Sequence, residues 1–322
     1  MTARTARVSL TVAMALWGLQ FVANHELLEV LTATEIVVVR FIAVVAAVGA
    51  ILLFVPRLRP RLDRRDVVIL VFAGLLSVPG SQLLLATGQN YLAPAMAGLV
   101  VATQPAVTAA MSALVLRERV SPRAVVGMVL ALVGAAVVIV FATGGGTALT
   151  VRNPWGAALV FLAQVSFAGY TVLTKAVQGR MNPLTLTFAG LLFGAVWLVP
   201  LAPGALAGIG ALEGLRWLWF IQLVVGGTLI PYIVWNLALG VLPANEVGSY
   251  TFLVPLFGVA WSWTILREDL SLIGLAGGAL IVVCVVLTQA RGRRGGCAGR
   301  HRGRQDHAEG ERQPRETSSH SR

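Results

Sequence analysis

An all-α membrane protein of ten transmembrane helices, arranged as two inverted five-helix repeats, is the fold this sequence predicts. Three observations carry that expectation. The 322 residues are 57% hydrophobic and only 12% charged, with a mean hydropathy of +0.80. A soluble chain of this length needs more charge to cover its surface. Nearly uncharged stretches of spanning length recur along the chain. Finally, a shift of 150 residues lays one half of the sequence over the other.

The stretches fall at 8–24, 33–55, 67–89, 94–116, 123–142, 155–174, 183–202, 217–239, 244–266 and 271–290. Backbone groups in lipid must find their hydrogen bonds within the segment, so each is predicted as a helix. The first is not read as a secretory signal, because Phe21 before Val22-Ala23 makes a poor cleavage pattern and further spans follow. Lys and Arg set the orientation. With the N-terminus inside, the cytoplasmic segments hold Arg4, Arg7, Arg57, Arg59, Arg61, Arg64, Arg65, Arg117, Arg119, Arg123, Lys175 and Arg180. The opposite side receives Arg152, Arg216 and Arg267. Both termini are therefore expected in the cytoplasm of a multi-pass inner-membrane protein. The expected organisation is a first repeat over 1–142, an external linker over 143–154, a second repeat over 155–290 and a disordered basic tail over 291–322.

The net charge of +11 does not mark a nucleic-acid partner, since nine of the 25 basic residues follow residue 290 and most others sit in interhelical loops. Contact of the tail with anionic headgroups is a second reading of it. Cys284 and Cys297 make no disulfide framework or zinc spacing. Enzyme signatures are missing too. His25-Glu26 lacks the second histidine of a zinc protease, Glu213 stands where a dinucleotide fingerprint after Gly208 and Gly210 needs glycine, and no Gly-Lys-Ser/Thr loop occurs. Neither a metal nor an organic cofactor is expected.

In the repeat, Leu92 meets Leu242, Gly98 meets Gly248, Pro105 meets Pro255, Ser112 meets Ser262, and Leu116-Arg117-Glu118 meets Leu266-Arg267-Glu268. The same offset sets Trp17 on Phe167, Gln20 on Tyr170 and Gln82 on Tyr232. Five spans per half is an odd number, so the second copy is expected upside down relative to the first, as in many secondary transporters.

With Trp17-Gly18 and Phe21, Arg40-Phe41, the block from Leu92 to Gly127 with its second copy from Leu242 to Gly277, and Gly227-Thr228 with Pro231-Tyr232 and Trp235, the chain resembles the EamA-type exporters of the drug/metabolite transporter superfamily. The likeness spans about 8–290. It departs at Thr32-Ala33-Thr34, where the family often has a proline. The resemblance implies a ten-helix inverted-repeat fold that exports amino acids, metabolites or drug-like compounds. A membrane-bound regulator using the same fold without net transport is the alternative.

Polar side chains in a bilayer tend to face the bundle interior. They concentrate in helices one, three, four, six, eight and nine, whereas five and ten are almost wholly apolar. The expected solute site is lined by Gln20, Gln82, Tyr170, Tyr232, Trp235 and Asn236, between helices one, three, six and eight. Tyr232 and Asn236 share a helix face one turn apart; interhelical hydrogen bonding is the alternative for each of these polar groups. Trp17 and Trp235 are read either as stacking surfaces or as packing. Arg40, inside a span, is expected to pair with Glu35 or a carbonyl, or else to serve the pathway. Glu246 is expected to be hydrated at a span's end. With no acid at the predicted midplane, little dependence on a proton gradient is expected. Beyond a small-molecule solute and the lipid bilayer, Gly274, Gly277 and Gly278 offer a close-packing face for a homodimer.

Overall fold

Crossing a hydrocarbon core of about 30 Å takes about 20 apolar helical residues, and local signals in the chain start and stop segments of that size. The computed structural model describes residues 1–58, 62–91, 100–120, 122, 125–130, 132–133 and 154–267. Among these the regular structure is helical throughout.

In the first half, α1 is Ala3–Leu28, α2 is Ala33–Phe54, α3 is Arg64–Gln89 and α4 is Gln104–Val115. In the second half, α5 is Pro154–Ala176, α6 is Pro183–Val196, α7 is Val199–Ala211, α8 is Arg216–Leu239 and α9 covers 244–266. The helices α1, α2, α3, α5 and α8 are each long and apolar enough to cross a membrane, and the bent pair α6–α7 makes up to a sixth such span. The expected spans at 123–142 and 271–290, the glycine face on the latter, the linker, both cysteines and the basic tail lie wholly or largely outside the described residues.

Capping residues begin several helices. Thr32 accepts from Glu35 N while Glu35 returns a bond to Thr32 N, and Asp63 with Asp66 repeats this box before α3. Such boxes satisfy N–H groups that have no partner within the helix. Asn182 caps α6 through Leu184 N, with Pro183 in the first turn. Thr32 and Asn182 occupy matching positions in the 150-residue register.

The register also predicts where the helices deviate. Arg117 and Arg267, counterparts in the repeated Leu-Arg-Glu, both have left-handed backbone, with φ of 55° and 58°. Proline removes an N–H from the ladder; before Pro105 the chain turns at 102–103, and before Pro255 it tightens at Tyr250–Phe252. α3 contains a π-helical segment at Val78–Leu83 and α8 another at Gln222–Leu229, next to Pro79-Gly80 and Gly226-Gly227. The span expected at 183–202 is not one straight helix. α6 and α7 meet at 51°, and Pro200 at the start of α7 denies an N–H to the last turn of α6. α2, without a proline at that level, runs on unbroken.

Packing exchanges the halves. α1 lies against α8 and α9, while α5 lies against α3 and α4. Each half's first helix thus packs on the other half's third and fourth. Glycine permits the closest crossings. A Cβ at Gly18 of α1 would stand 2.6 Å from Phe257 Cβ and 2.8 Å from Gly258 N of α9. One at Gly74 of α3 would run into the backbone of Gly194 on α6. Outward-facing apolar side chains such as Phe54, Phe72 and Trp263 stay exposed, as suits contact with acyl chains.

Candidate functional site

Where α1, α5 and α8 meet, five aromatic rings close on one another. Trp17 of α1, Phe167 and Tyr170 of α5, and Tyr232 and Trp235 of α8 lie with centroids 5.3 to 6.2 Å apart, several edge to face. Each such pair adds about 0.5–1.5 kcal/mol beyond area burial. Trp17 and Phe167 are counterparts in the repeat, so the layer sits where the halves exchange their first helices. Trp17 Nε1 donates to Gly227 O at 2.9 Å, a carbonyl within the π-helical segment of α8.

Asn236, fully buried, ties this layer together. Its Nδ2 donates to Tyr170 Oη at 2.6 Å, Thr187 Oγ1 at 3.0 Å and Tyr232 O at 3.1 Å. The Tyr232 hydroxyl donates to Ser77 O of α3 at 3.2 Å. Two polar atoms of the cluster, Trp235 Nε1 and Asn236 Oδ1, make no hydrogen bond with any described residue. An unpaired buried polar atom costs about 1–3 kcal/mol, so these atoms are poised for another partner.

About two helical turns from the ends at Leu28, Ala33 and Gln89 lie Gln20 of α1, Arg40 of α2 and Gln82 of α3. Arg40 Nη2 donates to Gln82 Oε1 at 2.8 Å, and the Tyr232 hydroxyl lies within electrostatic reach of Arg40 and beside the Gln82 side chain. Among the described residues Arg40 therefore pairs neither with Glu35, whose carboxylate is engaged by the Thr32 cap, nor with a backbone carbonyl. Gln20 lies against Gly227, where a Cβ would stand 3.4 Å from Gln20 Oε1.

The opposite end of the bundle is tied. Arg7 Nε donates to Glu246 at 2.8 Å, so Glu246 is ion-paired and not merely hydrated. Glu118 accepts from Ala244 N at 2.9 Å and Asn245 N at 3.1 Å, an acid on the positive end of α9. Lys175 Nζ donates to Leu239 O and Leu242 O at 2.7 and 2.8 Å, a cation on the negative end of α8. Arg180 bridges Asp63 and Asp66 at 2.7 and 2.6 Å. The Asp66 backbone N–H, then the charge of Arg180, hold the Asp63 carboxyl below the usual aspartate range.

Of the six residues predicted to line a site, Tyr170, Tyr232, Trp235 and Asn236 come together, and Gln82 joins them through Tyr232. Gln20 stands beside the group, against Gly227 of α8. Ser77, Thr187 and Phe167 belong to the cluster and were not among the six; only Phe167 carried a signal, as the partner of Trp17 in the repeat. Gln104 forms a separate network, donating to Thr108 and accepting from Thr251 at 3.0 and 2.6 Å. Among the described residues no group of three or more His, Cys, Asp or Glu side chains is placed to hold a metal.

Comparison with known proteins agrees with this architecture. The family described as EamA-like transporter family matches the chain twice, over residues 6–140 and 154–289. An "Uncharacterized transporter" of Archaeoglobus fulgidus is 25% identical over 280 residues, covering 87% of this chain and 97% of that relative. The "Uncharacterized inner membrane transporter YhbE" of Escherichia coli is 28% identical over 300 residues, covering 89% and 91%. A "Probable terminal-alkyne amino-acid exporter" of Streptantibioticus cattleyicolor is 27% identical over 238 residues, covering 73% and 77%. A solved structure described as "Crystal structure of protein" superposes with a TM-score of 0.73 at 19% identity, over 90% of this chain and 98% of that one; that likeness is one of fold.

Proposed function

The chain belongs to the EamA-like transporter family, within the drug/metabolite transporter superfamily, and on that premise we propose that it exports a small amphipathic organic solute by alternating access. It is a membrane transporter, and the names of its relatives point to transport and not to catalysis. Ten helices in two inverted repeats, over 1–142 and 155–290 and joined by an external linker, are the architecture we assign. The paired left-handed arginines, the matched caps and the exchanged packing of first helices support it. Positive-inside charge assigns the Arg7 end and both termini to the cytoplasm.

One observation carries the mechanism. The aromatic layer joins both halves at their crossing, yet leaves Trp235 Nε1 and Asn236 Oδ1 without partners among the described residues. Rocking the halves apart separates the rings and opens those atoms, with Gln20, Gln82, Tyr170 and Tyr232, to a solute that has one apolar face and a few polar groups. In the state described, the ties at the Arg7 end close that end. The amino-acid exporter among the relatives makes amino acids and related metabolites the first solutes to try.

Flux in vesicles reconstituted with the full chain tests this reading. Tyr232→Phe and Asn236→Ala are each expected to reduce flux roughly five- to a hundredfold, the equivalent of about 1–3 kcal/mol, at membrane abundance close to wild type. Absence of flux across a broad metabolite panel overturns transport in favour of a sensor. Normal flux in both variants moves the pathway elsewhere in the fold.

A further inference from the structure

Resting on the transporter reading, we propose that Arg40 is the anion-recognising residue of the solute site, and that the solute class it selects is organic monoanions, carboxylates above all.

The guanidinium is unusually poor in partners. It carries five N–H donors, is 4% exposed, and makes one side-chain hydrogen bond, to the neutral Gln82. Its Nε makes none. No ion pair among the described residues includes Arg40. Glu35, the acid on the same helix, is consumed by its own cap. The Phe41 ring, 5.1 Å from Arg40 Cζ, offers a modest cation–π contact and no acceptor.

A desolvated cation with a single neutral partner is costly in a membrane protein. Packing alone favours an apolar residue here, and a purely structural arginine favours a fixed carboxylate. Neither is found among the described residues. An anion that comes and goes fits the arrangement: it neutralises the charge when bound and leaves when the halves rock. The surrounding groups narrow the class. Gln82, its partner Ser81 and the Tyr232 hydroxyl are neutral, so one formal charge awaits one negative charge. A carboxylate matches the planar fork of guanidinium, with two parallel bonds from Arg. The aromatic layer, reached through Tyr232, then receives the apolar body of the solute.

Binding is measured on the purified full chain in detergent, with phenylacetate as probe and phenylacetamide as its neutral isostere, read by calorimetry and by thermal midpoint. Wild type is expected to bind the anion roughly tenfold or more tightly than the amide. Arg40→Lys keeps part of that preference and Arg40→Gln brings the ratio close to one. Gln82→Glu builds the anion into the protein, so it is expected to fold at least as well as wild type while phenylacetate no longer raises its thermal midpoint. This second variant keeps the test sharp even where Arg40→Gln fails to fold. No preference in wild type, whether both probes bind alike or neither binds, overturns the proposal, as does a preference that survives Gln82→Glu. Selective binding without flux in vesicles counts against transport alone, and flux without charge preference counts against Arg40 alone.

Discussion

The two ends of the helix bundle are held together in different ways. At the Arg7 end, Arg7–Glu246, Glu118 on α9, Lys175 on α8 and Arg180 on Asp63 and Asp66 all join separate helices. At the other end the described ion pair is Arg216–Glu29, with side chains 33% and 58% exposed. Moving inward from that weaker end, Gln20, Arg40 and Gln82 are reached before the aromatic layer. Among the described residues, charge is therefore used as a fastener at one end and is left available near the other. On the alternating-access reading proposed above, equal ties at both ends would make a static pillar, and unequal ties are those of a molecule caught on one side of a cycle.

The largest effect is expected from Lys175→Met, which strips two carbonyls of their donor at the end of α8. Leaving such acceptors unpaired costs about 1–3 kcal/mol, so opening of the Arg7 end should become roughly five- to a hundredfold more frequent. A cysteine introduced at Asn245 and labelled with an impermeant maleimide reads this out. Unchanged labelling would erase the proposed difference between the ends. Glu246→Gln should do less, about 1 kcal/mol or below, because Arg7 and Glu246 are only partly buried. Exchanging the pair, Arg7→Glu with Glu246→Arg, is expected to restore most of the lost closure.

The smallest effect concerns pH. Asp63 is held below its ordinary titration range, so its contribution is present at neutral pH and is lost as pH falls through its lowered folded-state value. Acidification into that range should loosen Arg180 from the α3 cap, and Asp63→Asn should remove this component from a thermal-stability profile. Because Asp63 is 61% exposed, the shift is expected to amount to a degree or two at most, and a larger one would mean the Arg180 bridge is a principal tie.

Much of this architecture is legible in the sequence because its causes are local. Apolar runs, Thr32 with Glu35, Asn182 before Pro183, Pro79-Gly80 in α3 and Gly226-Gly227 in α8 each act over a few residues. The repeat register is legible for the same reason, and it pairs Arg117 with Arg267 and Trp17 with Phe167, which the structure gives matching backbone and a shared aromatic layer. The ties were not. Arg7 and Glu246 stand 239 positions apart, and nothing near either residue announces the other. Thr187 and Ser77 are equally silent, since a lone hydroxyl in an apolar helix can bond its own backbone; Thr187 does so with Pro183 O and also meets Asn236. The bend between α6 and α7 was written in Pro200, but the length of the apolar run concealed it.

The π-helical segments of α3 and α8 have a mechanical meaning. A π-turn spends one residue more than an α-turn to climb the same ladder, so each segment is slack wound into a rod. Taking up one residue of slack turns the rod beyond it by about 100° and slides it about 1.5 Å. In α8 the segment at Gln222–Leu229 stops just short of Tyr232, Trp235 and Asn236. On the alternating-access reading proposed above, those three side chains ride on the downstream part of a rod whose rewinding would turn them to a new facing, like the output side of a clutch.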